Sequence, residues 1–245
     1  MRVLCVIPAR YASTRLPGKP LRDIAGKPMI CRVYERAVQA EKIEKALVAT
    51  DDQRIYDAVK NRGGDAMMTS RDHPTGTDRL AEVAAAYEDM DVIINVQGDE
   101  PLIEPALIDE LAGLFEDAPE LMMATVMTEL KDEEEARNPN NVKVITDKKG
   151  YALYFSRSLI PYPRNSGKAP VFKHIGIYAY RREFLLRYAK LSPTPLEQAE
   201  SLEQLRALEN GYRIKVLKTD CRFVGVDTEE DLALVNQIYS EEAHS

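Results

Sequence analysis

The sequence has little with which to enter a membrane or an oxidising compartment. No apolar run approaches the ~18 residues of a bilayer-spanning helix, and the N-terminal apolar segment falls short of the ~7–15 residues of a secretory signal core. The cytoplasm is therefore the expected location. The three cysteines, Cys5, Cys31 and Cys221, are scattered, odd in number and free of CxxC or metal-type spacing. They read as reduced structural thiols. A basic excess is also missing: 33 Lys and Arg against 40 Asp and Glu give a formal net charge of -7. That argues against nucleic acid as a partner, because phosphate-backbone binders carry the opposite excess. Neither GxxxxGK[ST] nor a GxGxxG after the first strand is present, so kinase-type and dinucleotide-binding readings lose their main support. Internal repeats are absent too.

What is present reads as an ordinary soluble globule, 44% hydrophobic and 30% charged over 245 residues. That length suits one α/β domain with an inserted lobe, or two small domains. Strand-like segments at 3–7, 46–49 and 92–96 alternate with helix-like segments at 29–40, 54–61 and 105–116. This alternation predicts a mostly parallel sheet, doubly wound in three layers with helices on both faces. From about residue 122 the pattern turns β-rich, at 122–128, 142–146, 152–155 and 174–180, with a short helix at 132–137. A smaller lobe over about 122–181 is expected, flanked by a main lobe of about 1–121 and 182–245. Helices at 182–190 and 202–210, a strand near 214–217 and a helix near 229–239 complete the main lobe, with a disordered tail at 240–245. Ligands in such sheets bind beyond the carboxyl ends of the strands, where Pro8-Ala9-Arg10, Thr50-Asp51-Asp52 and Gln97-Gly98-Asp99 fall.

The first of these ends opens a basic loop. Arg10, Arg15 and Lys19 place three cations within ten residues, Ser13 and Thr14 add hydroxyls, and Gly18 lets the backbone approach a ligand. A triphosphate would satisfy them. Pro8 is expected to end the first strand, having no N–H for the ladder. The strand at 92–96 ends on Asp99 after a glycine, and the segment Val224-Gly225-Val226-Asp227 repeats that arrangement. Two such acids, remote in sequence, suit a shared Mg2+, which takes one or two carboxylates plus phosphate oxygens. Asp99 alone could equally cap the next helix.

The segment Pro8-Ala9-Arg10 with Ser13, Arg15 and Pro17-Gly18-Lys19-Pro20-Leu21 resembles the nucleotide loop of the sugar nucleotidylyltransferases, specifically the enzymes that load a 3-deoxy-ulosonic acid onto CMP. The resemblance extends to about Tyr239, with the family's motifs in order. Thr75-Gly76-Thr77-Asp78-Arg79 is similar to a Ser-Gly-Thr-Asp-Arg segment that contacts the cytosine ring, with Thr75 keeping the hydroxyl; a helix cap at Thr75 or Thr77 is compatible with that role. Tyr154-Phe155-Ser156-Arg157, His174-Ile175-Gly176-Ile177-Tyr178-Ala179-Tyr180 and Glu203-Gln204 match the family's sugar-binding segments. Their chemistry suits a sugar acid, since Arg157 can pair with a carboxylate while His174, Tyr178, Glu203 and Gln204 hold hydroxyls. His174 taken alone reads equally as a satisfied strand histidine. Gln97 is placed on both the nucleotide and the sugar side. Glu203 and Gln204 adjoin on the expected helix, so their side chains diverge by about 100° and cannot both point straight into one pocket.

The resemblance implies a nucleotide-diphospho-sugar transferase fold with a β-rich dimerisation lobe, hence a homodimer. The implied reaction joins CTP and 3-deoxy-D-manno-octulosonate (Kdo) into CMP-Kdo and pyrophosphate, for lipopolysaccharide biosynthesis. Arg10, Lys19, Asp99 and Asp227 would carry the chemistry, the two acids holding Mg2+, and no general base is evident. An 8-amino-Kdo or sialic acid substrate, or a non-catalytic CTP-binding regulator, are the alternatives.

Overall fold

The computed structural model describes residues 1–12, 16–116, 118–165, 167 and 169–242. In chain order they form β1 (Val3–Ala9), β2 (Asp23–Ile24), β3 (Lys27–Pro28), α1 (Met29–Ala37), β4 (Lys45–Thr50), α2 (Gln53–Lys60), β5 (Ala66–Met68), α3 (Gly76–Ala86) and β6 (Val92–Asn95). The second half adds α4 (Pro105–Glu116), β7 (Met123–Leu130), α5 (Glu133–Arg137), β8 (Lys143–Thr146), β9 (Ala152–Ser156), β10 (Val171–Arg181), α6 (Arg182–Tyr188), α7 (Pro195–Glu200), α8 (Leu205–Glu209), β11 (Ile214–Lys218) and α9 (Glu229–Glu242).

The central sheet runs β11-β7-β10-β6-β1-β4-β5, and only β10 is antiparallel to its neighbours in that run. Because β1 is covered on both faces, it is apolar at every position from 3 to 7. Val3, Cys5 and Ile7 enter one core with Leu107, Leu111 and Phe115 of α4. Leu4 and Val6 enter the other with Leu80 and Val83 of α3 and Phe184 of α6. A mostly parallel sheet between two helical layers follows.

Three expectations need correction. Pro8 does not end β1, which continues to Ala9 with Pro8 in register with Ala49. The Pro8 carbonyl faces Gly98, so the missing N–H lies on the side where β6 has already stopped, and the ladder to β4 is intact. Residues 202–210 are not one helix: α7 ends at Ser201, whose φ of 51° is left-handed, and α8 begins only at Leu205. α7 was not anticipated; Pro195 opens it and Glu197 Oε2 accepts from the Thr194 N–H at 3.0 Å. Finally, α9 runs to Glu242, where Ser240 Oγ donates to the Asn236 carbonyl at 2.8 Å.

The smaller lobe is an extension of the main sheet. β7 begins in the core and runs outward, and β10 begins beside the β8–β9 hairpin, which it meets through β8, and runs back into the core, so the boundaries near 122 and 181 fall at the core ends of strands that both regions share. In β10 the register against β7 jumps from Ile175↔Val126 to Tyr178↔Thr125.

Candidate active site

Gly98 brings the carboxyl ends of β1 and β6 together. A Cβ there would lie 2.9 Å from the Pro8 carbonyl oxygen, so only glycine permits the approach. Asp99 is thereby held over the basic loop, and Lys19 Nζ donates to Asp99 Oδ2 at 2.6 Å and to Asp227 Oδ1 at 2.9 Å. Burial draws the Lys19 ammonium down, but the two carboxylates outweigh it and hold it above the usual lysine range. Gly18 serves the loop differently from the sequence expectation: its φ of 65° is left-handed, and a Cβ would meet the Tyr11 hydroxyl at 3.1 Å and its ring at 3.2 Å. Its freedom is spent inside the protein.

Two adjoining cavities open here. One, of about 370 Å³, is lined by Pro8, Ala9, Arg10, Lys19, Gln97, Gly98, Asp99 and Asp227 among others. Arg10 reaches its rim by donating from Nη2 to the His73 and Thr75 carbonyls at 2.6 and 3.2 Å. Ser13 and Arg15 lie outside the described residues. The second cavity, of about 210 Å³, shares Pro8 and Gln97 with the first and adds Gly76, Thr77, Asn95, Tyr178, Tyr180, Tyr188, Glu203 and Gln204.

The second cavity is aromatic and incompletely hydrogen-bonded. Tyr178 stacks on Tyr180, and Tyr180 on Tyr188. Tyr188 Oη donates to the Glu203 carbonyl at 2.7 Å. Asn95 Oδ1 and Glu203 Oε1 are buried with no hydrogen-bond partner. Burial raises the Glu203 carboxyl, with a Thr77 hydrogen bond opposing it. Such orphaned oxygens are costly unless a ligand supplies the missing donors. Glu203 and Gln204 do line one cavity together, because they occupy the turn before α8 and do not follow helical spacing.

Other singled-out residues lie elsewhere. Thr75 caps α3, accepting from the Asp78 N–H at 3.2 Å, while Asp78 Oδ2 accepts from the Thr75 N–H and hydroxyl. Arg79 is fully buried, bonded to Thr69, with Nη2 3.1 Å from Asp51 but not aligned for a hydrogen bond. The Arg157 guanidinium donates to the carbonyls of Glu200, Pro139 and Ser201 at 2.7, 3.2 and 3.4 Å. His174 is buried behind Tyr178, its ring 5.4 Å away, and burial pushes the imidazole down to about 3. Thr75, Asp78, Arg79, Arg157 and His174 line neither cavity.

Sequence reasoning missed Asn95, Tyr188 and Glu100. Asn95 had a signal, being the one polar residue within an apolar buried strand. Glu100 sits behind Asp99 with Oε2 unpartnered; burial, then the Asp99 charge, pushes its carboxyl up to about 8.

A sequence profile described as cytidylyltransferase matches residues 4–215. A 3-deoxy-manno-octulosonate cytidylyltransferase of Fusobacterium nucleatum is 55% identical over 235 residues, covering 96% of each chain. One from Geotalea daltonii is 56% identical over 243 residues, covering 95% of this chain and 96% of its own. Among solved structures, a CMP:2-keto-3-deoxy-manno-octonic acid synthetase complexed with CTP superposes with a TM-score of 0.95 at 48% identity, over 99% of this chain and 100% of that one. A cytidylyltransferase from Leptospira borgpetersenii shares the fold, with a TM-score of 0.63 at 16% identity over 100% of this chain and 96% of its own. With that breadth of match over a strand-end cleft of this charge, the chain belongs to the cytidylyltransferase family, among the relatives named 3-deoxy-manno-octulosonate cytidylyltransferase.

Proposed function

We propose that this protein transfers the cytidylyl group of CTP to the anomeric hydroxyl of Kdo, releasing pyrophosphate, and so supplies activated Kdo for lipopolysaccharide assembly. One observation carries the reading: a charged cavity and a cavity of unpartnered buried oxygens meet at Pro8 and Gln97. A triphosphate needs the first, and a polyhydroxylated sugar supplies donors to the second.

The anomeric oxygen forms a bond to the α-phosphorus in line as the bond to the pyrophosphate oxygen breaks, and the hydroxyl proton passes to water. The protein's part is positioning and charge stabilisation. Arg10 and Lys19 carry positive charge to the phosphates and to the departing pyrophosphate. Gln97, at the junction, keeps the two substrates in register. Glu203 and Asn95 accept from sugar hydroxyls, with Gln204 and Tyr178 beside them.

Asp99 and Asp227 would hold Mg2+. Their oxygens converge on one cation, the Lys19 ammonium, and both are hard donors open to the cavity, so the pair fits the ion. Among the described residues no third His, Cys, Asp or Glu joins them in a metal cluster, which leaves further positions to phosphate and water. When bound, Mg2+ supplies neutralisation of phosphate charge and a lowered pKa for the attacking hydroxyl. We also propose cytoplasmic localisation and a homodimer formed through the β8–β9 side.

Pyrophosphate release from CTP with Kdo, 8-amino-Kdo or N-acetylneuraminate, and from UTP or ATP as controls, tests the reading. Release with CTP and Kdo is expected. Preference for another sugar would move the substrate, and CTP binding without release would overturn the catalytic reading.

A further inference from the structure

Resting on that reading, we infer that Thr125 is a positioning residue for the sugar: its hydroxyl locks the break in β10 and fixes His174 as the Nε2–H tautomer, behind the aromatic wall.

The break itself is unusual. Between Ile175 and Tyr178, β10 advances three residues while β7 advances from Val126 to Thr125, one residue, so Gly176 and Ile177 are extra. An insertion of two preserves alternation where a single-residue bulge would invert it. Ile175, Ile177 and Ala179 accordingly all enter the α4-side core. His174, Tyr178 and Tyr180 stay together on the opposite face, in ring contact from Phe155 to Tyr188. The cavity wall therefore depends on the break keeping its shape.

At the break the carbonyls of Ile175, Gly176 and Ile177 accept from side chains. Gln97 Nε2 donates to the Gly176 carbonyl at 2.9 Å, so the residue shared by both cavities also holds the break. Thr125 Oγ1 lies 2.8 Å from the Ile177 carbonyl oxygen and 3.2 Å from that of Ile175. It also lies 2.9 Å from His174 Nε2.

Thr125 is fully buried. Its hydroxyl has one proton, and carbonyl oxygens only accept, so that proton goes to the carbonyls and the oxygen lone pair faces His174. Nε2 must then donate. The ring is neutral, buried between Phe155 at 5.0 Å and Tyr178 at 5.4 Å, so it carries a single proton and Nδ1 is left as an acceptor. No described residue donates to Nδ1. Thr125 thus decides that Nδ1 of His174 is an acceptor, and never a donor, in the ring that backs Tyr178.

The test combines 15N spectra of imidazole-labelled protein, which has three histidines, with steady-state kinetics of wild type, Thr125→Val and Thr125→Ser. His174→Gln assigns the His174 signal. Wild type should show His174 as the neutral Nε2–H tautomer. Thr125→Val, equal in shape but without the hydroxyl, should mix the tautomers and raise the sugar KM about tenfold, as expected when a buried donor loses its partner, with the CTP KM within about twofold. Thr125→Ser should restore both. An Nδ1–H tautomer in wild type would overturn the inference even if Thr125→Val fails to fold. So would a Thr125→Val enzyme in which both substrates shift equally, or neither does. If wild type turns over no Kdo, the functional reading fails while the spectra still judge the tautomer.

Discussion

The charged cavity and the aromatic cavity solve the same problem, waiting for a polar ligand, in opposite ways. In the first, opposite charges satisfy one another: Lys19 lies between Asp99 and Asp227, and all three side chains are partly solvated. In the second, Asn95 Oδ1 and Glu203 Oε1 are buried without hydrogen-bond partners among stacked tyrosines, with Arg206 Nη1 3.8 Å from Glu203 Oε1. The difference follows from the ligands each side is built for. A phosphate chain arrives with charge and can displace an ion pair that water already screens. A sugar brings neutral donors, so acceptors dried in advance gain the most when it binds.

This contrast can be broken at several points. The largest effect should come from Asp99→Asn or Asp227→Asn, each lowering kcat about 10²-fold or more while the sugar KM changes little, read by pyrophosphate release. Loss of sugar affinity with kcat intact would place these acids on the wrong side of the division.

Acid should expose how dry the aromatic side is. His174 has a folded-state pKa of about 3 against an ordinary value of 6.5, so the unfolded chain binds more protons between those limits. Its share of stability is whole above about pH 6.5 and is lost as pH falls toward 3, about 2 kcal/mol between pH 6.5 and 5. Urea unfolding should show that slope in wild type and lose it in His174→Gln.

Gly98→Ala strikes the junction. Its Cβ meets backbone rather than a flexible side chain, so the ends of β1 and β6 must part, at a cost of about 2 kcal/mol in urea unfolding together with reduced kcat. Unchanged stability would show that the approach of the two strands is not needed.

The smallest of these effects, Glu203→Gln, should raise the sugar KM about tenfold and leave the CTP KM alone, because the amide keeps one acceptor and loses the charge.

Much of this was legible before any coordinates. Apolar runs covered on both faces gave β1 and β6, and the change of periodicity near residue 122 marked the β-rich region. Asp99 and Asp227 were recognised as a pair because each was read as an acid between an apolar strand end and a helix start; no strand precedes Asp227, which lies in the irregular segment between β11 and α9, yet the structure places both acids on one cation. What was not legible depended on neighbours distant in sequence. Pro8 looked like a stop until its exposed side proved to face the end of β6. Glu203 and Gln204 looked divergent because their turn resembles a helix in composition. The two-residue break in β10 leaves a single glycine as its trace, and Thr125 carries no local signal at all. Its role exists only through strand pairing.

The most direct test of the division is calorimetric titration of CTP into wild type, Glu203→Gln and Lys19→Met. The account predicts that Glu203→Gln binds CTP within about twofold of wild type, while Lys19→Met, which leaves two carboxylates facing the triphosphate, binds it about tenfold or more weakly. Equal losses in both variants would contradict it.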